Sequence, residues 1–486
     1  MKKIDNQNMF FVFMGAIFTL SLTLKIAFIS EPIASDDLRY FEFAKSILTG
    51  GGIDRLDHAA SRIVFLIMVG LPGVLFSSIQ ASGVFNVLIV LATEAIVAAY
   101  CFRNYGLSSA MVGLSFTSLS GIALTYSGYL LPDPLLGFFW LCACLSLLVA
   151  LSKDKFSNQL LSLSICGIFT GLSYSAKDTG ILLAPLVAII ITIVLLRKFN
   201  LRASLLGGIV FSFSFIFIWL IESFSLYLLS GEFFYKTMAL SEVHNQGDVF
   251  HASSFYEFLR QGWWNLSYTF QAPFVALSPI LVSLVSVFLL YMRRDVNWLL
   301  SLIASGVLFY LVFGTSSPSE LINLPFQERY IQPILPLSGI CIAGIYNHYN
   351  LKAVRIGLVF FIFICSFIGL KYTLNSFGNL YFQTLISNAK IGIQIVGSEE
   401  NPVYADCRIQ KAINFSSSKS IKSLVLSIPV QFPLPPGYYI LDPNKGCIPE
   451  NLHNKIKGAG ASLIVGIELP FSKDEPRYKA KFYQIQ

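Results

Sequence analysis

Polar loops divide the chain into apolar runs of about twenty residues, and this repeat constrains the fold more than any other feature. A helix rises ~1.5 Å per residue, so about twenty apolar residues cover the ~30 Å of bilayer hydrocarbon. Such runs occupy residues 9–29, 82–102, 107–127, 134–151, 159–176, 179–196, 204–228, 270–291, 297–314, 329–347 and 355–372. Charged residues make up only 13% of the 486, against about 25% in soluble domains, while hydrophobic types reach 55%. A soluble enzyme, a disordered chain and a nucleic-acid binder working through a basic face are excluded. The expected fold is an α-helical polytopic membrane protein.

Lys and Arg report which side of the membrane a loop occupies. A twelfth run, Ile63 to Ser78, is shorter and carries Gly70, Pro72 and Gly73 in its middle. If it does not cross, the loops on the N-terminal side hold twelve Lys and Arg, among them Arg197, Lys198, Arg293 and Arg294, against three Asp. That is the bias of cytoplasmic loops. If it does cross, every later basic loop moves outside. The sequence therefore predicts about eleven spans plus a re-entrant or interfacial helix, with the N-terminus cytoplasmic and the C-terminus extracytoplasmic. No cleavable signal peptide is visible.

Two units are expected: a transmembrane module over 1–372, with outer loops 30–62 and 229–269, and an extracytoplasmic tail over 373–486. The tail contains short β-type runs at Val403–Ala405, Ser423–Ile428, Tyr438–Leu441 and Ser462–Ile467, which predict a small α/β domain with a partly parallel sheet. Cys407 and Cys447 lie there and are candidates for a disulfide in an oxidising compartment. The other six cysteines sit in apolar runs and behave as small hydrophobes.

Charge on the outer side is concentrated at a few positions. The first outer loop carries adjacent Asp36 and Asp37 at the start of an amphipathic helical pattern, with Arg39 following. Capping explains an isolated Asp at such a place. Two of them beside an Arg, at the membrane face, also fit a catalytic pair. Asp133 stands between two prolines at the outer start of a span, Lys177 and Asp178 share a short outer turn, and Arg329 opens the tenth span from outside. Singly each reads as a boundary charge. Together, cations beside carboxylates at headgroup depth suit a lipid-linked phosphate. Glu94 falls near mid-membrane, where an ionised carboxylate must face protein or water. Lys25 reads as a snorkelling lysine. His244, Asp248 and His251 have metal-ligating side chains but no element to converge them.

At these residues the sequence resembles the GT-C superfamily of polyprenyl-phosphate-sugar-dependent glycosyltransferases. Within it, the likeness is to protein O-mannosyltransferases and lipid A aminoarabinose transferases. The motifs that carry it are SDDLRYFEFAKSIL after the first span, Pro132-Asp133 at a later span start, GLSYSAKDTG, and ERYIQPILPL in a late span. The likeness covers about residues 1–350. The family's second acid is commonly Glu, here Asp37, and the large soluble sugar-binding module of eukaryotic members is absent, which fits a bacterial inner-membrane enzyme. The string GWWNLSY has Asn265 where an oligosaccharyltransferase motif has Asp, and reads as interfacial aromatics.

The resemblance implies transfer of a sugar from an undecaprenyl-type phosphate to a hydroxyl of a lipid, glycan or protein at the outer face, as in cell-envelope or lipopolysaccharide modification. It assigns Asp36 as base, Asp37 and Asp133 as orienting acids, and Arg39 and Lys177 as phosphate ligands with Arg329 as a third. No cofactor and no metal are expected, and no nucleic-acid partner. Two alternatives stay open on the residues alone. A flippase for lipid-linked sugars should show repeat symmetry between its halves, which is not found. A scaffold protein leaves the Asp36–Arg39 cluster without a purpose.

Overall fold

The computed structural model describes residues 2–27, 36–53, 56–153, 155–245, 252, 254–271, 277–314, 328–375 and short stretches between 389 and 485. Among these, the first part of the chain is built from α1 (Lys2–Ala27), α2 (Asp36–Leu48), α3 (Ile63–Leu75), α4 (Ile79–Tyr105), α5 (Leu107–Ser118), α6 (Gly121–Tyr126), α7 (Asp133–Ser152) and α8 (Phe156–Ala176). There follow α9 (Leu183–Lys198), α10 (Leu201–Ser230), α11 (Tyr235–Asn245), α12 (Phe255–Gln271), α13 (Leu277–Met292), α14 (Trp298–Phe313), α15 (Leu335–His348) and α16 (Lys352–Asn375). Tight 3₁₀ turns over Asp178–Leu182 and Glu328–Ile334 lead into α9 and α15. Among the described residues, six helical stretches are long and apolar enough to cross a membrane: Ile79–Tyr105, Asp133–Ser152, Phe156–Ala176, Asp178–Lys198, Leu201–Ser230 and Lys352–Lys371. The protein is a multi-pass integral membrane protein.

The packing follows from which runs are apolar all round. α7 and α15 bury most of their residues, α7 along α8 and α15 along α5. α10 and α16 instead expose large apolar side chains such as Phe213, Phe224, Phe360 and Phe363, the composition of a lipid-facing surface. α3 has 13 residues and spans only ~20 Å at the usual helical rise, short of the hydrocarbon thickness. Its buried face, including Ile63, Phe65, Leu66 and Val69, packs on α2 and α4.

Three expectations are corrected. The run 107–127 is two helices, broken at Leu119–Ser120, where the Ser120 hydroxyl accepts from Ala123 N at 3.2 Å and starts α6. The run 329–347 starts as a 3₁₀ turn because Pro333 has no N–H to donate. Lys25 does not snorkel. It is fully buried, with its ammonium 2.7 Å from Glu94 Oε1, 3.1 Å from the Ser118 carbonyl and against the Ser21 hydroxyl.

In the C-terminal part, β1 (Val403–Ala405), β2 (Val425–Ser427), β3 (Gly437–Ile440), β4 (Ser462–Val465) and β5 (Ala480–Ile485) form one sheet in the order β2-β1-β3-β5-β4. β1 is parallel to both β2 and β3, while β5 is antiparallel to β3 and β4. The fifth strand had no counterpart in the sequence reading. Cys407, Cys447, Asp248, His251 and the side chain of His244 lie outside the described residues.

Candidate active site

Asp133 and Lys177 are brought together by two interrupted helices. Pro132 and Pro134 flank Asp133, so α7 starts where its fixed φ is already helical, and Leu136 N bonds the Pro132 carbonyl at 2.9 Å. The segment before it is held by Asn86, whose amide donates to the carbonyls of Tyr129 (2.7 Å) and Leu131 (3.3 Å). Lys177 ends α8 in an extended conformation. Its carbonyl accepts from Gly180 N at 2.8 Å, and Gly180 lies so close to the Ser173 backbone that no Cβ fits. The turn therefore points Lys177 inward.

There the Lys177 ammonium forms an ion pair with Asp133 Oδ1 and lies 4.0 Å from the Tyr330 ring centre. Tyr330 and Arg329 come from the 3₁₀ turn 328–334. That turn packs on α7 through Gly137, where a Cβ would meet Pro333 Cα at 3.0 Å. The Arg329 guanidinium is 5.6 Å from the same Tyr330 ring. Both partners of the Lys177–Asp133 pair are almost wholly buried, and Asp133 Oδ2 makes no hydrogen bond among the described residues. Burial draws the Lys177 ammonium down to about pKa 8; Asp133 opposes this, and the fields of Arg329 and Arg62 add to it. Lys177 is thus paired with Asp133 while two further cations, Arg62 and Arg329, act on it through their fields.

Arg62 is the member that sequence reasoning missed. It precedes α3, its side chain is mostly buried, its guanidinium lies 5.3 Å from the ring centre of Tyr40 on α2, and it pairs at 3.5 Å with Asp178 Oδ2. Its Nε is buried without a hydrogen bond among the described residues. Two further charges, Lys236 and Glu222, also went unread. Lys236 lies 2.9 Å from Glu222 Oε1 and 3.6 Å from Asp178 Oδ1. Glu222 interrupts an apolar run as Glu94 does, and the same rule could have singled it out. Arg62 gave no signal, because only the fold sets α3 beside the turn at 177.

The first outer loop contributes a second pair. Arg39 donates from Nε to Asp57 Oδ2 at 2.8 Å, with its terminal nitrogen 2.6 Å from the same oxygen. The Arg39 side chain remains 41% exposed while Asp57 is buried. Asp57 Oδ1 accepts from Ala59 N at 2.9 Å, fixing the turn. Asp37 is buried at the first turn of α2, with Oδ1 accepting from Leu38 N at 2.9 Å. Asp36 opens α2, and its side chain lies outside the described residues. Of the expected site residues, Asp133, Lys177 and Arg329 form one group. Arg39, with Asp57, belongs to a neighbouring one on α2, against whose Tyr40 Arg62 lies; Asp37 is on the same helix, bonded to its first turn.

Residues 81–244 match the family described as dolichyl-phosphate-mannose-protein mannosyltransferase, PMT. This stretch contains Asp133, Lys177 and Lys236. Over that third of the chain the sequence is similar to the PMT family. The fold agrees. It is similar to ArnT from Cupriavidus metallidurans in the apo state, with a TM-score of 0.53 at 14% identity over 99% of this chain and 98% of that one. The ArnT structure bound to undecaprenyl phosphate gives a TM-score of 0.55 at 14% identity, over 98% and 97%. An oligosaccharyltransferase of Archaeoglobus fulgidus, in complex with Zn and sulfate, gives 0.50 at 12% identity over 88% and 68%. No curated protein matches the enzyme by sequence.

Proposed function

We propose that the enzyme transfers one sugar from a polyprenyl phosphate to an acceptor hydroxyl at the outer face of a bacterial inner membrane. The observation that carries this reading is the buried Lys177–Asp133 pair, with the guanidiniums of Arg62 and Arg329 close enough for their fields to act on Lys177. Cations grouped in this way suit a phosphate. The fold shared with an ArnT seen bound to undecaprenyl phosphate supports it.

In this reading Asp36 accepts the acceptor's O–H proton as its oxygen attacks the anomeric carbon. The bond from that carbon to the phosphate oxygen breaks, and the electron pair leaves on the lipid phosphate. The phosphate thereby gains a negative charge, which Lys177, Arg39, Arg329 and Arg62 neutralise. Asp37 and Asp133 orient the reacting groups, Asp133 by holding Lys177. Eleven crossings, with α3 re-entrant, place α2, the turn at 177 and the C-terminal sheet outside and the N-terminus in the cytoplasm. The acceptor is a hydroxyl of a lipid, glycan or protein.

The test is single-turnover transfer from radiolabelled polyprenyl-phosphate sugars to membrane glycolipids by the purified enzyme in nanodiscs. Transfer that requires the lipid phosphate supports the reading; turnover of nucleotide sugars instead would sink it. A reporter fused after Gln486 that is active only in the cytoplasm would overturn the topology.

A further inference from the structure

Tyr235 and Lys236 are neighbours at the start of α11, and each touches the carboxylate-bearing residue that holds one arginine. The Tyr235 hydroxyl accepts from Asp57 N at 2.9 Å and lies 3.3 Å from the Asp57 carbonyl, while the Asp57 carboxylate holds Arg39. Lys236 stands on one side of Asp178 and Arg62 on the other, at 3.6 and 3.5 Å. Lys236 itself is seated firmly. It donates to the Tyr174 carbonyl at 2.6 Å and to Glu222 at 2.9 Å, and lies 4.0 Å from the Tyr174 ring centre. Burial alone would lower its pKa, but Glu222 and Asp178 outweigh burial and raise it above the ordinary lysine value.

Asp178 therefore divides its charge between two cations and grips neither closely. If Lys236 were gone, Arg62 would be its main remaining counter-charge, and the pair would close. An arginine drawn tightly onto its own carboxylate has fewer donors for a ligand. We infer that α11 sets the reach of both arginines toward the lipid phosphate, with Lys236 as the positioning residue for Arg62 and Tyr235 as that for Arg39. The inference rests on the donor reading above. It adds a role for the second outer loop, which delivers α11 to the site although neither residue is assigned to the phosphate itself.

The experiment is titration of the nanodisc-embedded full chain with polyprenyl phosphate, read as Kd, in two double-mutant cycles. Lys236→Met should weaken binding about as much as Arg62→Ala, tenfold or more, and the two together should cost little beyond either alone. Lys236→Arg, which keeps the charge beside Asp178, should restore most of the affinity. Tyr235→Phe should be non-additive with Arg39→Ala in the same way, while the cross pairs, Lys236→Met with Arg39→Ala and Tyr235→Phe with Arg62→Ala, should add. If Lys236→Met does not fold because Glu222 is left unpaired, Lys236→Met/Glu222→Leu removes both charges and carries the same expectation. Wild-type Kd in Lys236→Met or in that double variant, with Arg62→Ala weakened, overturns the positioning role and leaves the donor reading intact. Wild-type Kd in both Arg62→Ala and Arg39→Ala refutes the donor reading instead.

Discussion

Lys25 and Lys177 are both buried lysines paired with a buried carboxylate, and their surroundings differ in how completely the charges are used. Lys25 donates to Ser21, Glu94 and the Ser118 carbonyl, while Glu94 accepts on Oε1 from Lys25 and on Oε2 from Ser21 at 3.0 Å. Every strong donor and acceptor there has a partner, and the network ties α1 to α4 and α5. At Lys177 the carboxylate keeps one oxygen without a hydrogen bond, and two guanidiniums press on the ammonium. A satisfied buried network fixes structure, whereas one with leftover charge is costly until something fills it. The contrast sets a structural clamp against the proposed binding site without reference to any relative. A third cluster, at the opposite end of the bundle, follows the first pattern: Asp295 accepts from Tyr105 at 2.5 Å and meets His348 at 2.6 Å.

The largest expected effect lies at the reacting atoms. Asp36→Asn keeps the side chain's size but removes the proposed proton acceptor, so single-turnover transfer should fall by ~10²–10⁴ while lipid-phosphate Kd stays within a few-fold. Near-normal transfer would move the base to Asp37 or Asp133. Next in size is the clamp. Lys25→Met strands Glu94 without its cation, which should cost about 3–5 kcal/mol of stability in a denaturant series, whereas Lys25→Met/Glu94→Leu should recover most of it. If instead the single variant is as stable as wild type, the pair is not the structural clamp described here.

The smallest effect is a pH dependence. Free Lys177 titrates near 8, and a bound phosphate favours its charged form, so binding takes up a proton above that pH. Affinity should be level below about pH 8 and weaken above it, by at most about tenfold per pH unit. Lys177→Arg, which stays protonated throughout, should flatten the profile. A wild-type profile flat from pH 7 to 10 would remove Lys177 from the phosphate.

The difference between the two clusters also explains what could be read beforehand. Span positions follow from apolar length, and the helices over 82–102, 134–151, 159–176 and 204–228 were legible for that reason. The break at Ser120 was not, because a cap inside an apolar run barely changes its hydropathy. Asp133 and Lys177 stood out as charges in turns next to apolar runs. Their pairing was invisible, since 44 residues separate them and only the packing of α7 on α8 closes the distance. Arg62 and Lys236 stayed hidden for the same reason. Lys25 was misread because snorkelling depends on a free path to the interface, and Glu94 lies on a different helix.

The most direct measurement sets the two clusters side by side: titration of polyprenyl phosphate into nanodiscs holding Lys177→Ala or Lys25→Met/Glu94→Leu. Loss of a charge-assisted hydrogen bond should weaken the first by roughly ten- to hundredfold. The second should bind with the wild-type Kd, whatever its stability. Wild-type affinity in Lys177→Ala, or an equal loss in the mid-membrane double variant, would contradict the claim that unspent charge marks the site.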